Sequence, residues 1–334
     1  MKIIFVPNQP HCYAFGGFEI QMLSAFEGLK RAGHDVERFD PWSRDLDFDL
    51  VHIWGLEITQ AHNIDYARRS GKAIVVTVLM PDLSSFYKRL RFLASSLVYK
   101  VRIQKELSRK VDAIIAVSEI EKETIRKFYG FPEQRIHVIP NMIGDIYLDE
   151  TPAPNTFGVT DYVLCTGNVC QRKNQLNLVR ACNRLKIPVL LIGNEMPGEE
   201  IYAANVRNEL AKNASGRWIP GVQPNSEMLK SAYQHCRLFA LLSYLENQPI
   251  SVLEAQAMGC RILLASRPYT RQSLFKDLPT VDPDGLDAIT RAVEQAYHGP
   301  VPATPAIGEC TMKNVARRHA EVYATCMSLK GKTM

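Results

Sequence analysis

Nothing in this 334-residue sequence approaches the roughly 18 consecutive apolar residues that a bilayer-spanning helix needs. The first apolar run, Ile3 to Val6, stops at Pro7 and Asn8, short of the roughly 7–15 residue apolar region of a secretory leader, so a cytoplasmic protein is expected. Cysteine is present but never paired as C-x-x-C or densely clustered. The eight residues Cys12, Cys165, Cys170, Cys182, Cys236, Cys260, Cys310 and Cys326 therefore read as reduced, mostly buried thiols. No histidine pair completes a zinc ligand set at the usual spacing. A G-x-G-x-x-G run is missing too, which argues against a dinucleotide dehydrogenase. No repeat recurs at a fixed period and no segment is of low complexity.

What remains is an ordinary globular composition, 46% hydrophobic and 22% charged, on a chain long enough for two domains. The net charge of +5 is modest, but between Lys88 and Lys110 eight basic residues face Glu106 alone. They interleave with Leu90, Phe92, Leu93, Leu97, Val98, Tyr99, Val101 and Ile103. That pattern suits either a helix on an anionic membrane surface or an ordinary surface helix with one buried face. It matches no nucleic-acid-binding module, so no nucleic-acid partner is expected.

Short apolar runs alternate with helical patterns through the first half: strands at Lys2–Val6, Val36–Phe39, Leu50–Trp54, Ala73–Val78, Ala113–Val117 and Ile136–Ile139, with a helix over Phe18–Ala32. Ser118 stands as a helix N-cap ahead of Glu119, Glu121 and Glu123, and that helix runs to Tyr129 before Gly130 and Pro132. Periodicity fades between Pro140 and Asp161, which reads as a linker. A second series follows: Tyr162–Cys165, a helix over Asn174–Leu185, Val189–Ile192, a helix over Tyr202–Ala214, Trp218–Ile219, a helix over Ser226–Gln234, Leu238–Leu242, a helix over Ile250–Met258, and Arg261–Ala265. This alternation predicts βαβ units and parallel sheets. The expected domains are 1–145, 146–310 and a carboxy-terminal helix, 311–334, that docks on one domain or crosses back to the first.

The most informative segment runs from Ser243 to Gly259, Ser-Tyr-Leu-Glu-Asn-Gln-Pro-Ile-Ser-Val-Leu-Glu-Ala-Gln-Ala-Met-Gly. Pro249 suits the first turn of a helix and Gly259 its C′ position. Glu246 then precedes the helix and Glu254 lies inside it, offset along the axis by roughly 8–12 Å at ~1.5 Å per residue. Between them are the amides from Ile250 onward, where unpaired N–H groups and the helix dipole favour an anion. A diphosphate fits that gap, with one carboxylate for sugar hydroxyls and the other for ribose hydroxyls. Two isolated glutamates would instead read as solvated surface acids.

The segment resembles the E-x7-E signature of the retaining glycosyltransferases of family 4, and the likeness extends through Leu253-Glu-Ala-Gln-Ala-Met-Gly259. The resemblance implies an α/β chain of the GT-B class, two Rossmann-like doubly wound domains facing a central cleft. It implies that Glu246 contacts the donor sugar and Glu254 the nucleotide ribose. Gly16-Gly-Phe-Glu19 with Gly33-His-Asp-Val36 looks like the family's opening glycine loop, and places Gly17 on the donor diphosphate. Val111–Ser118 and Ile139–Ile143 resemble the family's core strand and interdomain entry. In Gly167-Asn-Val-Cys-Gln-Arg-Lys-Asn174, Lys173 matches the family's phosphate-neutralising lysine; Asn168 replaces its usual arginine, and Arg172 is a candidate substitute. Gly193 and Gly221-Val222 match loops that hold the nucleobase through backbone groups. The expected donor site is therefore Gly17, Arg172, Lys173, Gly193, Gly221, Val222, Glu246, Asn247, Gln248, Ile250, Ser251 and Glu254, with Glu246 and Lys173 nearest the chemistry and Glu246 first a sugar-positioning group.

The family commonly carries a histidine at the end of the strand that here reads Val75-Val-Thr-Val-Leu-Met-Pro-Asp82, where this chain has Leu79 or Met80. Asp82, His52 or no side chain takes over that place, and His52 at a strand end also reads as a buried, hydrogen-bonded histidine. The resemblance implies a metal-independent transfer, with no cofactor, from a nucleoside diphosphate sugar to a glycan, lipid-linked or small-molecule acceptor, as in polysaccharide biosynthesis at the inner face of a membrane. The competing readings are another GT-B enzyme, such as a sugar-nucleotide epimerase or hydrolase, and a non-catalytic nucleotide-sugar-binding protein.

Overall fold

The structure, a computed structural model, describes residues 1–13, 15–79, 99–300 and 307–331. The chain forms two compact units, one of Met1–Met142 with Glu309–Met334, the other of Ile143–Gly308. No described helix is long and apolar enough to cross a membrane.

The first unit contains β1 (Lys2–Val6), α1 (Gly17–Arg31), β2 (Asp35–Arg38), β3 (Leu50–Trp54), α2 (Ala61–Arg69), β4 (Ala73–Thr77), α3 (Tyr99–Ser108), β5 (Ala113–Ala116), α4 (Glu119–Thr124), β6 (Ile136–Val138) and a carboxy-terminal helix, Met312–Gly331. Its strands form one sheet in the order β2-β1-β3-β4-β5-β6, all parallel. A parallel sheet must be covered on both faces, and β3 and β4 are accordingly buried along their whole length. Alternate residues feed two cores: Ile4, Val51, Ile53, Ile74 and Val76 on one face, and Ile3, Phe5, Leu50, Trp54 and Val75 on the other. The second face is closed by Met22, Ala25 and Leu29 of α1 together with Val315, Val322 and Tyr323 of the carboxy-terminal helix. That helix is thus part of the first unit's core.

One local feature differs from the sequence reading, and the described part of the basic stretch takes one of its two alternatives, a surface helix with a buried face. Ser118 caps α4 by accepting from the Glu121 amide at 3.2 Å, but the helix relaxes after Thr124 into a wider π turn, Ile125–Tyr129, before Gly130 takes a φ of +66°. The described end of the basic stretch is α3 with a buried face of Gln104, Leu107 and Ser108. Leu107 enters the core, and Lys110 pairs with Asp65 at 2.9 Å and Glu106 at 3.4 Å. Met80, Asp82 and the basic stretch from Lys88 to Val98 lie outside the described residues.

The second unit contains β7 (Tyr162–Thr166), α5 (Gln175–Leu185), β8 (Val189–Ile192), α6 (Glu200–Leu210), β9 (Arg217–Ile219), α7 (Glu227–His235), β10 (Cys236–Leu241), α8 (Ile250–Ala257), β11 (Ile262–Ala265), β12 (Thr280–Val281) and α9 (Leu286–His298). Its parallel sheet has the order β12-β11-β10-β7-β8-β9. Winding therefore reverses between β7 and β10, and the crevice at the carboxyl ends of those two strands is where such sheets take ligands.

The aperiodic segment before β7 is not a free linker. Its backbone is satisfied by α7: the Ala153 amide donates to Gln234 Oε1 at 2.6 Å, the Thr156 amide to Ser231 Oγ at 3.2 Å, and Ser231 Oγ to the Pro154 carbonyl at 2.7 Å. Irregular backbone can be fixed whenever side chains supply the missing partners.

His52 links the first unit's last helix to its sheet. Fully buried, it meets Tyr323 Oη at 2.7 Å through Nδ1 and Thr77 Oγ1 at 2.8 Å through Nε2; burial first, and His319 second, push its pKa well down, so the ring is neutral. Tyr323→Phe leaves one ring nitrogen unpaired in a dry site, which costs roughly 1–3 kcal/mol. Thermal unfolding followed by circular dichroism should show a melting temperature lowered by several degrees; an unchanged one would refute this role for the hydroxyl.

Candidate active site in the second unit

The crevice begins with two glycines that let backbones meet. Gly167, just after β7, has φ +127°, and Gly193, just after β8, has φ +146°. A Cβ on Gly193 would lie 2.2 Å from the Gly167 carbonyl oxygen, so no larger residue fits there. The Gly193 amide donates to Ile219 O at 3.0 Å, and its carbonyl accepts from Trp218 Nε1 at 2.7 Å. The N–H of Gly193 is thus spent within the fold. Gly221, with φ +73°, is exposed and Val222 is half-buried beyond it.

From Gly167 the chain enters a short 3-10 turn, Gln171–Lys173, and Asn174 at φ +57° opens α5. The Asn174 side chain anchors this turn by donating to the Pro283 carbonyl at 3.0 Å. The Lys173 stem runs back over Gly167, where a Cβ would come within 3.3 Å of its Cε and Nζ. Its ammonium reaches Glu246 Oε1 at 2.8 Å, with both side chains only 11% exposed. Arg172 reaches the same oxygen at 3.1 Å and donates to the Leu245 carbonyl at 2.6 Å, while its own carbonyl accepts from the Tyr244 amide at 2.9 Å. Arg172 therefore pins the loop after β10 as well as adding charge. Burial raises the Glu246 pKa, but Lys173 and Arg172 outweigh it, and the carboxyl stays below its ordinary range, ionised.

That loop leads into α8 over a side-chain platform. Gln272 donates to the Asn247 carbonyl and accepts from Gln248 Nε2 at 3.1 Å. Pro249 is the N-cap, one position earlier than a first-turn placement, because its carbonyl already accepts from the Val252 amide at 3.1 Å. It offers no side-chain cap, and among the described residues the amides of Ile250 and Ser251 have no protein acceptor. Gly259, at φ +68°, ends the helix: its amide donates to Gln256 O at 3.1 Å and the Cys260 amide to Ala255 O at 2.9 Å.

Glu254 is not a solvated helix acid. It is 7% exposed, and its Oε2 accepts from Tyr233 Oη at 2.7 Å. Burial raises its pKa to about 7, against the opposing hydrogen bonds from Tyr233 and Tyr147. Tyr147, a second buried phenol beside Glu254, packs its ring edge-on to Tyr233 with centroids 5.7 Å apart. Sequence reasoning does not find Tyr233, Tyr147 or Gln272. They sit at no motif position, and Tyr147 also lies far from the two glutamates along the chain, so only the fold brings them in.

The second unit thus assembles Arg172, Lys173, Glu246, Asn247, Gln248, Ile250, Ser251 and Glu254 around one strand-end crevice, with Gly193 beside Gly167 at its edge. Gly17 belongs to the first unit, as the first residue of α1. Leu79, at the end of β4, is exposed and apolar. Three Asp-x-Asp triplets occur, Asp45-Leu46-Asp47, Asp47-Phe48-Asp49 and Asp282-Pro283-Asp284; in the last both carboxylates face Arg267, at 3.7 and 2.7 Å. Among the described residues no three His, Cys, Asp or Glu side chains are grouped to hold a metal ion.

Comparison with known proteins follows this geometry. Residues 37–144 match the model of Glycosyltransferase Family 4 and residues 150–308 that of Glycosyl transferases group 1. No curated protein matches the sequence. Among solved structures, a glycosyltransferase from Rickettsia africae superposes with a TM-score of 0.69 at 14% identity, covering 98% of each chain. HepE of Anabaena, crystallised with UDP and glucose, gives 0.67 at 15% identity over 100% of this chain and 99% of that one. Sucrose-phosphate synthase from Thermosynechococcus elongatus gives 0.67 at 15% identity over 100% and 98%. These likenesses establish the fold, GT-B with two Rossmann-like domains.

The buried Glu254 carboxyl has a stability consequence with a definite sign. Its pKa is raised in the fold, so the native state resists ionisation and loses stability relative to the unfolded chain as pH rises from the ordinary carboxylate range to about 7. Glu254→Gln should raise the stability of the ligand-free protein at pH 8 by about 2 kcal/mol, with a smaller gain at pH 5. Denaturant unfolding at the two pH values measures this, and a variant less stable at pH 8 would contradict it.

Proposed function

We infer that this chain, which belongs to the group 1 glycosyl transferases of glycosyltransferase family 4, transfers a sugar from a nucleoside diphosphate donor to an acceptor hydroxyl with retention of anomeric configuration. The observation that carries the reading is the Lys173–Glu246 contact of 2.8 Å next to the unpartnered amides that open α8, with Glu254 eight residues further along the chain. Lys173 and the Ile250 and Ser251 amides offer a diphosphate a cation and N–H donors together. Glu246, kept ionised, accepts from hydroxyls of the donor sugar, and Glu254 accepts from the ribose. The solved relative HepE carries UDP and UDP-glucose, which makes uridine the first base to try.

In the proposed step the acceptor oxygen attacks the anomeric carbon from the face that the diphosphate leaves. The bond from that carbon to the diphosphate oxygen breaks, and the acceptor proton passes to the departing phosphate. The products are a glycoside and a nucleoside diphosphate. The protein contributes position and positive potential, from Lys173, from Arg172 and from the start of α8, and no divalent ion is required. Neither glutamate is asked to serve as a catalytic base. The basic stretch 88–110 is proposed as a contact with an anionic membrane that presents a glycan or lipid-linked acceptor.

The test begins with melting temperatures in the presence of UDP, GDP, ADP, CDP and TDP, followed by turnover of the matching sugar nucleotide. One nucleotide should stabilise the protein clearly more than the rest, Lys173→Ala should remove that shift and lower kcat by about 10²-fold, and EDTA should leave turnover intact. Stabilisation by none of the five, or activity that returns only on adding metal, would overturn the reading; sugar release without any transfer would favour a hydrolase. For the membrane contact, the protein should co-sediment with vesicles rich in phosphatidylserine at low salt and be released at high salt, and failure to bind removes that part.

A further inference from the structure

Tyr233 is fully buried at the end of α7, and its hydroxyl is the meeting point of three segments. It lies 3.0 Å from Thr166 Oγ1, the last residue of β7; 2.7 Å from Glu254 Oε2 on α8; and 3.4 Å from the Ser251 carbonyl in the first turn of the same helix. A phenol has one proton to give, and an ionised carboxylate can only accept. The shorter contact therefore takes the Tyr233 proton, and Thr166 must be the donor to Tyr233. With Glu254 ionised, this sets a one-way relay from the end of β7 through Tyr233 to Glu254.

The relay holds one carboxylate oxygen only. Tyr233 bonds Oε2 at 2.7 Å, while the buried hydroxyl of Tyr147 is the second phenol that favours the charged form of Glu254, and its ring braces Tyr233 edge-on. On the other side Tyr233 packs against Phe239 of β10, with centroids 5.7 Å apart. The ring is thus locked between β10 and the turn Asp145–Tyr147, leaving its hydroxyl a single position.

We propose that Tyr233 is the positioning residue of the nucleotide site: by holding Oε2 it aims Oε1 of Glu254 at the ribose hydroxyls of the donor. The proposal rests on the donor reading given above, since it presumes that Glu254 meets the ribose. It makes the β7 end, through Thr166, part of nucleotide recognition without any contact to the ligand. Because the groups that face Glu254 are two phenols, Tyr233 of α7 and Tyr147, with no cation among those that shift its titration, hydrogen bonding is what favours its charged form.

The experiment compares wild type, Tyr233→Phe and Glu254→Gln by calorimetric titration with UDP and 2′-deoxy-UDP, repeated with the ADP and GDP pairs, across pH 5.5–8.5. Tyr233→Phe keeps both ring contacts. It should weaken the ribonucleotide about tenfold, the deoxynucleotide much less, and so collapse the preference for ribose. Affinity in the wild type should fall as pH drops through about 7, where Glu254 takes up a proton. In Tyr233→Phe that fall should begin at higher pH, because the bond that favours the carboxylate is gone; the nucleotide's own phosphate titration is common to both proteins. Equal weakening of both nucleotides with an unmoved pH midpoint would show a merely structural tyrosine and overturn the proposal. If instead Glu254→Gln binds ribonucleotides as wild type does, or wild type binds none of the three, it is the donor reading that fails. Should Tyr233→Phe not fold, Thr166→Val cuts the relay one step earlier and should reduce ribose preference about threefold; unchanged preference there overturns the proposal equally.

Discussion

A carboxylate can stay ionised in a nearly dry crevice only if cations are held beside it, and in the second unit that condition organises everything at the ends of β7 and β10. Glu246 keeps its charge because Lys173 and Arg172 converge on the same oxygen. To bring them there, the chain must turn back sharply after β7, which requires the positive φ of Gly167 and the αL conformation of Asn174. Arg172 in turn fastens the loop that starts α8, and α8 carries Glu254. Buried ion pairs seldom add net stability, since desolvation offsets their attraction, so this one is better understood as holding groups in place for a ligand that is itself charged.

The two acids of the motif are then opposites. Glu246 faces cations and is held below its ordinary pKa, whereas Glu254 faces phenols and is raised to about 7. Seven residues of chain separate them, yet one is insensitive to pH near neutrality and the other sits at its midpoint there. Difference in surroundings, not in residue type, separates a group fixed in its charge from one that must be won over by its ligand.

Much of this could be read before any coordinates. The strands Leu50–Trp54 and Val189–Ile192 coincide with their sequence assignments because short runs, apolar but for His52 and buried on two faces, leave little doubt about where they end. Helix α8 lies almost where Pro249 and Gly259 bracket it. The two-residue strand Thr280–Val281 and the helix Leu286–His298 go unmarked, the first because it is too short to show a period and the second because no motif draws attention to it. The segment ahead of β7 reads as a linker, since the side chains that satisfy its backbone, Ser231 and Gln234, come some eighty residues later. Tyr233 is hidden for another reason: it lies only 21 residues before Glu254 but at no motif position. Lys173 and the two glutamates could be named from the family resemblance, but their burial, which decides how each is charged, belongs to tertiary structure.

The helix Met312–Gly331 gives the first unit an unusual timetable. Tyr323 completes the hydrogen bonding of His52, and Val315 and Val322 close the face lined by Met22 and Leu29. During synthesis, those early strands wait with an uncovered apolar side while the whole of Ile143–Gly308 is made, although that later segment has its own sheet and can finish first. Folding should therefore run out of chain order, with the amino-terminal half the last to become rigid and the longest exposed to chaperones and proteases.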